Sequence, residues 1–266
     1  MQKNRVHKLP VSVFLIAQDE ADRIGEALDS VREWADEVIV VDSGSSDATL
    51  QVAREHGART LYHEWDGYGK QKRFGEEQCR NPWIFNLDAD ERVTPELAGE
   101  IAALFEKGDP AKAGYRVRIV DIYPHETKPR PLASHHIQIR LYDKRQGRFS
   151  ASPVHDAVHM AKDKVGMLRH IMSHYSFRSI THQLDKTNYY TDMQVRLLTE
   201  KNRTFTALGA RLYLELPLCF AKAYFLRKHF LHGIYGFIAS VNYAYFRFVR
   251  LAKYYERTRL TGKGGR

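Results

Sequence analysis

Three short apolar runs punctuate the front of the chain, Val11 to Ala17 (VSVFLIA), Glu37 to Asp42 (EVIVVD) and Trp83 to Leu87, with a short strand expected at Arg59 to Tyr62 between the last two. Each is too short for a buried helix, rich in β-branched residues and bounded by polar or turn-forming residues, so each reads as a strand. Between them lie stretches with helical spacing. Ile24, Leu28 and Val31 form one stripe within Glu20 to Trp34, and Ala48 to His56 and Tyr68 to Cys79 follow the same logic. Strands alternating with helices predict an α/β fold with a mostly parallel sheet and helices on both faces. Ligands of such sheets gather at the carboxyl ends of the strands, near a topological switch point.

Two of those predicted strand ends carry acids. Trp83-Ile84-Phe85-Asn86-Leu87 runs into Asp88-Ala89-Asp90-Glu91. In extended backbone Asp88 and Asp90 would share a face. Carboxylates that close repel unless a cation sits between them, and hard ions such as Mg²⁺ and Mn²⁺ take oxygen ligands together with substrate phosphates. The same residues also read as a strand, an acid-rich turn and a helix start capped at Thr94-Pro95-Glu96. The second end is Asp42, followed by Ser43-Gly44-Ser45-Ser46-Asp47. It offers a carboxylate and donors to a nucleoside, or simply connects strand to helix.

Two further groups complete the candidates. Lys70, Lys72 and Arg73 follow the flexible Gly67-Tyr68-Gly69 and could reach a diphosphate, or form a solvated face. His155-Asp156 sits in a loop after the alternating strands Gly114 to Ile122 and His136 to Tyr142, and either residue could serve as a general base. Cys79 and Cys219 lie far apart, with no metal or disulfide spacing, which suits a reducing compartment. Met1 to Pro10 has no long apolar core, so no secretory signal is expected.

The net charge is +9, and the excess is concentrated at the rear. Beyond Ala207 the basic residues are Lys222, Lys228, Lys253, Lys263, Arg211, Arg227, Arg247, Arg250, Arg257, Arg259 and Arg266, against Glu215 and Glu256 alone. They alternate with aromatics in helical stretches, and Pro217 is expected to open a helix. His229 to Phe246 is 18 residues without Lys, Arg, Asp or Glu, yet carries two histidines, Ser240, Asn242 and three tyrosines. That composition suits a helix lying in an anionic membrane interface better than one crossing the bilayer. A nucleic-acid partner would also be drawn by the charge, but it leaves the Asp88–Glu91 cluster unexplained, and none is expected. A dinucleotide oxidoreductase requires G-x-G-x-x-G after the first strand, where Gln18-Asp19-Glu20 stands. A nucleotidyltransferase shares the metal and diphosphate needs and stays open.

In order and spacing, SVFLIAQDEADRIGEALDSV, ADEVIVVDSGSSDATLQVAREHGA, GYGKQKRFGEEQCRNPWIFNLDADE and PVHDAV resemble the family 2 glycosyltransferases, over roughly residues 11–160. More narrowly they are similar to the bacterial lipopolysaccharide core group that adds glucose to heptose. The resemblance implies a GT-A, Rossmann-like fold, a glycosyltransferase domain over 1–204 with a nucleotide-sugar half to about 110 and an acceptor half beyond it; the basic, aromatic composition adds the expectation of a helical, membrane-associating region over 205–266. The resemblance also implies an inverting, metal-dependent hexosyl transfer from a nucleotide sugar, UDP-glucose above all, to a lipid-linked saccharide, at the cytoplasmic face of the inner membrane.

Carried onto this sequence, the resemblance implies that Ala17, Asp19 and Glu20 border the nucleotide pocket. Asp42, with Ser43 and Gly44 beside it, contacts the uridine, and Lys72 faces the diphosphate. Asp88 and Asp90 form the DxD pair that holds Mg²⁺ or Mn²⁺, Asp90 directly. Asp156 is the catalytic base, with His155 orienting the acceptor or phosphates. Three positions depart from the family pattern: Asp19 and Arg73 stand where Asn is common, and Asp156 where Glu is.

Overall fold

The computed structural model describes residues 8–124, 126–150, 157–200 and 208–261. The chain forms two compact units, the first from 1–121 with 134–176 and the second from 122–133 with 177–266. The first contains β1 (Leu9–Ala17), α1 (Ile24–Asp29), β2 (Ala35–Asp42), α2 (Thr49–Glu55), β3 (Arg59–Tyr62), α3 (Tyr68–Gln78), β4 (Trp83–Asn86), β5 (Glu91–Val93), α4 (Pro95–Phe105), β6 (Gly114–Asp121), β7 (His135–Asp143), β8 (Arg148–Phe149), β9 (Val158–His159) and β10 (Val165–His174). The second contains α5 (Ile180–Glu200), α6 (Leu208–Ala221) and α7 (Gly233–Thr261).

Eight strands make one sheet in the order β3-β2-β1-β4-β7-β6-β10-β5. The pairs β3–β2, β2–β1 and β1–β4 are parallel; β4–β7, β7–β6 and β10–β5 are antiparallel, with β6–β10 parallel between them. From β1 the chain builds outward through β2 and β3, then returns to place β4 on the other side of β1. That reversal makes the β1–β4 edge a switch point.

Alternation along each strand divides the core. Val11, Val13 and Leu15 of β1 pack with α1, α2 and α4 through Ile24, Leu28, Ala53, Leu97 and Ile101. Phe14, one residue out of phase, packs on the opposite face with Ile39, Val41, Ile84, Tyr142 and Phe149, against which Phe74 of α3 closes. Helices therefore cover both faces. Thr94 caps α4 by accepting from the Leu97 N–H at 3.2 Å, with Pro95 in the first turn, as its residues predict.

Three expectations are corrected. The helix predicted from Glu20 to Trp34 shrinks to α1. Glu20 to Arg23 form only a turn, closed by the Arg23 and Ile24 N–H groups on the Glu20 carbonyl, and Arg23 at φ −140° leaves helical geometry, so the regular helix starts at Ile24. Asp88 and Asp90 are not in extended backbone. The strand ends at Asn86, and a turn closed by Glu91 N–H to the Asp88 carbonyl at 3.0 Å carries both acids. Pro217 lies inside α6 rather than opening a helix, on a stretch where Leu216 and Leu218 are also exposed. In the second unit α5 groups with α6 and α7.

Within the second unit, α6 and α7 run antiparallel as a hairpin. Glu215 pairs with Arg247, and further toward the turn Phe220 stacks edge-on to Phe237. A π-helical turn at Lys222–Leu226 and a 3-10 turn at His229–His232 join them, with Lys228 left-handed between. Among the described residues, no helix is long and apolar enough to cross a membrane.

Candidate active site

The carboxyl ends of β2, β1 and β4 lie side by side, and Ala17 is in register with Asp42. The loops leaving β1 and β2 are stitched together. Ser43 N–H donates to the Ala17 carbonyl at 3.1 Å, Asp19 N–H to Ser45 Oγ at 3.0 Å and Glu20 N–H to Thr49 Oγ1 at 2.8 Å. In return Asp19 Oδ1 accepts from Ser46 N–H at 2.8 Å. Asp19 holds φ at 55°, a left-handed conformation that short polar side chains tolerate when locally bonded.

Asp42 is 2% exposed and shapes the loop that follows it. Its Oδ2 accepts from the N–H groups of Gly44 and Ser45 at 2.9 and 3.0 Å, and its Oδ1 from the Ser45 hydroxyl. Gly44 sits at φ 102°, where a side chain would be strained. The structure thus gives Asp42 a loop-building role first, and whatever binds here meets a loop already ordered.

Helix α3 supplies the next layer through a polar buried face. Gln71 donates to Ser43 Oγ at 3.0 Å and pairs with His63. Lys72, 2% exposed, places Nζ 3.0 Å from Asp88 Oδ1 and 5.6 Å from the centre of the Phe149 ring. Glu76 accepts from Tyr142 Oη and Phe149 N–H, both at 2.9 Å, and Arg73 Nε donates to the Phe149 carbonyl at 2.9 Å. The solvated-face alternative for Lys72 is excluded, because its ammonium is buried on a carboxylate.

The turn after β4 is a charge network. Arg140 of β7, 1% exposed, donates to Asn86 Oδ1 at 2.6 Å, Asp88 Oδ2 at 2.8 Å and Glu91 Oε1 at 2.5 Å. Burial would lift the Asp88 carboxyl, but the charges of Arg140 and Lys72 outweigh it and hold Asp88 far below the usual carboxylate range. Burial pushes the Glu91 carboxyl the other way, upward, against the pull of Arg140. Asp90 faces a second group: its Oδ2 is 3.4 Å from His174 Nε2 and 3.7 Å from Arg23 Nη1. His174 Nδ1 bonds Asp121 Oδ1 at 2.7 Å. Burial opposes charge on His174, yet its hydrogen bonds with Asp121 and Asp90 prevail and push it up to about 10.

Among the described residues, no three or more His, Cys, Asp or Glu side chains are grouped to hold a metal ion by themselves. The donor chemistry nonetheless fits a divalent cation that fills its shell from substrate and water. Asp90 offers an oxygen, Asp88 is occupied by Arg140 and Lys72, and His174, a cation between Asp121 and Asp90, would offer its Nε2 only by releasing that proton as the metal ion takes its place.

Ala17, Asp19, Glu20, Asp42, Ser43, Gly44, Lys72, Asp88 and Asp90 therefore meet at neighbouring strand ends. His155 and Asp156 lie outside the described residues. Arg140, His174, Asp121, Gln71 and Glu76 were missed. In HIQIRLY the alternation assigns Arg140 to the same face as His136 and Gln138, which reads as solvent-facing. His174 belongs to β10, whose VGMLRHIMSH has no clean alternation.

Residues 12–162 match the family model described as Glycosyl transferase family 2. The chain is similar to the glycosyltransferase RP128 of Rickettsia prowazekii, 37% identical over 252 residues that cover 91% of this chain and 86% of that protein. It is similar along nearly its whole length to the lipopolysaccharide core biosynthesis glycosyltransferase LpsC of Rhizobium meliloti, 29% identical and covering 97% and 96% of the two chains. Among solved structures, S. aureus TarS 1-349 shares 14% identity, with coverage of 92% and 83% and a TM-score of 0.47.

Proposed function

The chain belongs to glycosyltransferase family 2, and we propose that it transfers a hexose, glucose from UDP-glucose in the first instance, to a hydroxyl of a lipid-linked saccharide such as inner-core heptose of lipopolysaccharide. The observation that carries this reading is the meeting of the ordered Asp42 loop, the Lys72–Asp88 pair and the Asp90–His174 pair at adjoining strand ends. The lipopolysaccharide core role printed for the Rhizobium meliloti relative supports the acceptor class. The basic, aromatic rear of the chain supports work at the cytoplasmic face of an anionic membrane.

The residues divide the task. The 43–47 loop, with Ala17, Asp19 and Glu20 beside it, receives the nucleoside. Lys72, one salt bridge from Asp88, can turn its ammonium to the diphosphate as charge develops on the leaving group. Asp90 and His174 would hold Mg²⁺ or Mn²⁺, which when bound neutralises diphosphate charge. Arg140 keeps Asp88 ionised and fixed. Asp156, beside His155, would take the acceptor proton as the hydroxyl attacks the anomeric carbon from the far side, inverting it.

A thermal-shift panel of nucleotide sugars with and without Mn²⁺, followed by product analysis, tests this. Stabilisation by a UDP-sugar that needs the metal, with UDP as released product, is the expected result. Pyrophosphate as product would assign a nucleotidyltransferase, and no response to any nucleotide would overturn the reading.

A further inference from the structure

The turn end of the α6–α7 hairpin is inside out. Its polar side chains point inward: His229, His232 and Ser240 are 7%, 0% and 0% exposed. His229 Nδ1 bonds Ser240 Oγ at 3.1 Å, while His232 joins Tyr123 Oη at 2.9 Å and the Pro131 carbonyl at 3.1 Å. Its large apolar side chains point outward: Phe225, Leu226, Phe230, Leu231 and Ile234 are 60%, 78%, 46%, 48% and 67% exposed. The arrangement is built tightly. Gly236 packs so closely on the 3-10 turn that a methyl group there would lie 1.9 Å from the His229 carbonyl oxygen. Phe237, Val241 and Tyr245 continue the outward apolar stripe along α7 at helical spacing.

Water does not select such a pattern. A surface this apolar on a soluble chain marks a contact with something else. Charge identifies the occupant. From Leu216 to Tyr255 there is no Asp or Glu, and exposed Lys222, Arg227 and Lys228 flank the apolar tip. Lipophilic side chains ringed by basic ones match the interface of an anionic bilayer, where the tip enters the acyl boundary and the cations remain among the headgroups. Crossing is excluded for the described helices by length and composition.

We propose that the turn joining α6 and α7 is a monotopic membrane anchor, inserting Phe225, Leu226, Phe230, Leu231 and Ile234 into one leaflet of an anionic membrane. This deepens the membrane-surface part of the proposed function and rests on that part alone, independent of the transfer chemistry.

Flotation of the full chain with phosphatidylcholine vesicles, with and without phosphatidylglycerol, tests it. The chain floats, more strongly with the anionic lipid. Leu226→Glu and Ile234→Glu each lower partitioning at least about tenfold on both vesicles. Lys222→Glu, Arg227→Glu and Lys228→Glu each lower it about fivefold on anionic vesicles only. A fluorophore on Leu231→Cys, placed in a Cys219→Ser background so that only this site is labelled, shifts to the blue on vesicle addition, independently of how the charged variants fold. Unchanged flotation of the Glu variants, or no spectral shift, overturns the anchor. So does light scattering that shows a dimer abolished by Leu226→Glu with no vesicle binding, which would make the patch a self-association face. Stabilisation by UDP should persist in every variant. Its absence alongside normal flotation would refute the transferase reading and leave the anchor standing.

Discussion

Glu76 is fully buried on α3 and is the hub through which that helix grips β8. One carboxylate oxygen accepts from both Tyr142 Oη and Phe149 N–H, and the other faces Arg148 Nε at 3.0 Å. Glu76→Ala strands a buried hydroxyl and a buried backbone N–H, at about 1–3 kcal/mol each. Arg148 is half exposed and recovers water. The expected loss is therefore about 3–5 kcal/mol once the cavity is included. Glu76→Gln keeps an oxygen where both buried donors need one and disturbs only Arg148 and, at 3.9 Å, Arg73, which keeps its bond to the Phe149 carbonyl, so it should cost about 1 kcal/mol. Urea unfolding followed by tryptophan fluorescence measures both. The Gln variant also separates stability from positioning. β8 ends at Phe149, shortly before the segment that carries Asp156. Transfer by Glu76→Ala should fall roughly tenfold to a hundredfold while UDP affinity holds, because Lys72 lies a turn away on the helix. A Glu76→Ala protein as stable as the parent, or a Gln variant as damaged as the Ala variant, would refute this account of the hub.

Arg140→Met leaves Glu91 buried beside an acid and without its cation, and should lose about 3–5 kcal/mol in the same unfolding assay; a loss under about 1 kcal/mol would mean the network is dispensable. Asp42→Ala frees the N–H groups of Gly44 and Ser45 and unmakes the preformed loop, so UDP affinity measured by calorimetry should drop at least about tenfold, with Asp42→Asn intermediate. Burial, aided by the nearby Glu37 charge, pushes the Cys79 thiol up to about 12, leaving almost no thiolate at mildly alkaline pH. A disulfide reagent should therefore modify half-buried Cys219 first and Cys79 only as the chain opens, which a mass-resolved time course shows; equal rates would contradict the burial of Cys79.

The front of the fold was legible because β1, the end of β2 and β4 are buried on both faces and so read as apolar runs, between which the exposed β3 falls into place. Arg59–Tyr62 was delimited to the residue, and the α/β sheet with helices on both faces and the family resemblance both stand. What failed had local causes. A helix predicted from hydrophobic spacing at Glu20 starts only at Ile24, because Arg23 takes a non-helical φ of −140°, which the apolar spacing does not encode. β10 was invisible because Gly166, Arg169 and His170 interrupt it where its pairing with β6 slips register. Arg140 was passed over because strict alternation leaves a charged residue unremarked on a solvent-facing side, whereas its partners lie on β4 and the turn after it.

That last error points to a physical rule for sites of this kind. A helix face normally earns burial through apolar area, yet α3 buries Gln71, Lys72 and Glu76, each of which costs desolvation unless paired. Apolar residues in those places would pack the same helix on the same sheet at no such cost, so stability alone does not account for them. What the three residues add is geometric coupling. In a little over one turn, Gln71 reaches the loop after β2, Lys72 the acid after β4, and Glu76 the strand before the predicted base. A rigid helix that touches all three sets the donor-side loop, the diphosphate cation and the acceptor-side strand in one register, each through its own side chain, so that losing one contact loosens one part while the helix holds the others. Polar burial on a Gly-flanked helix, rather than acidity at a strand end, is the sign by which such a helix can be recognised.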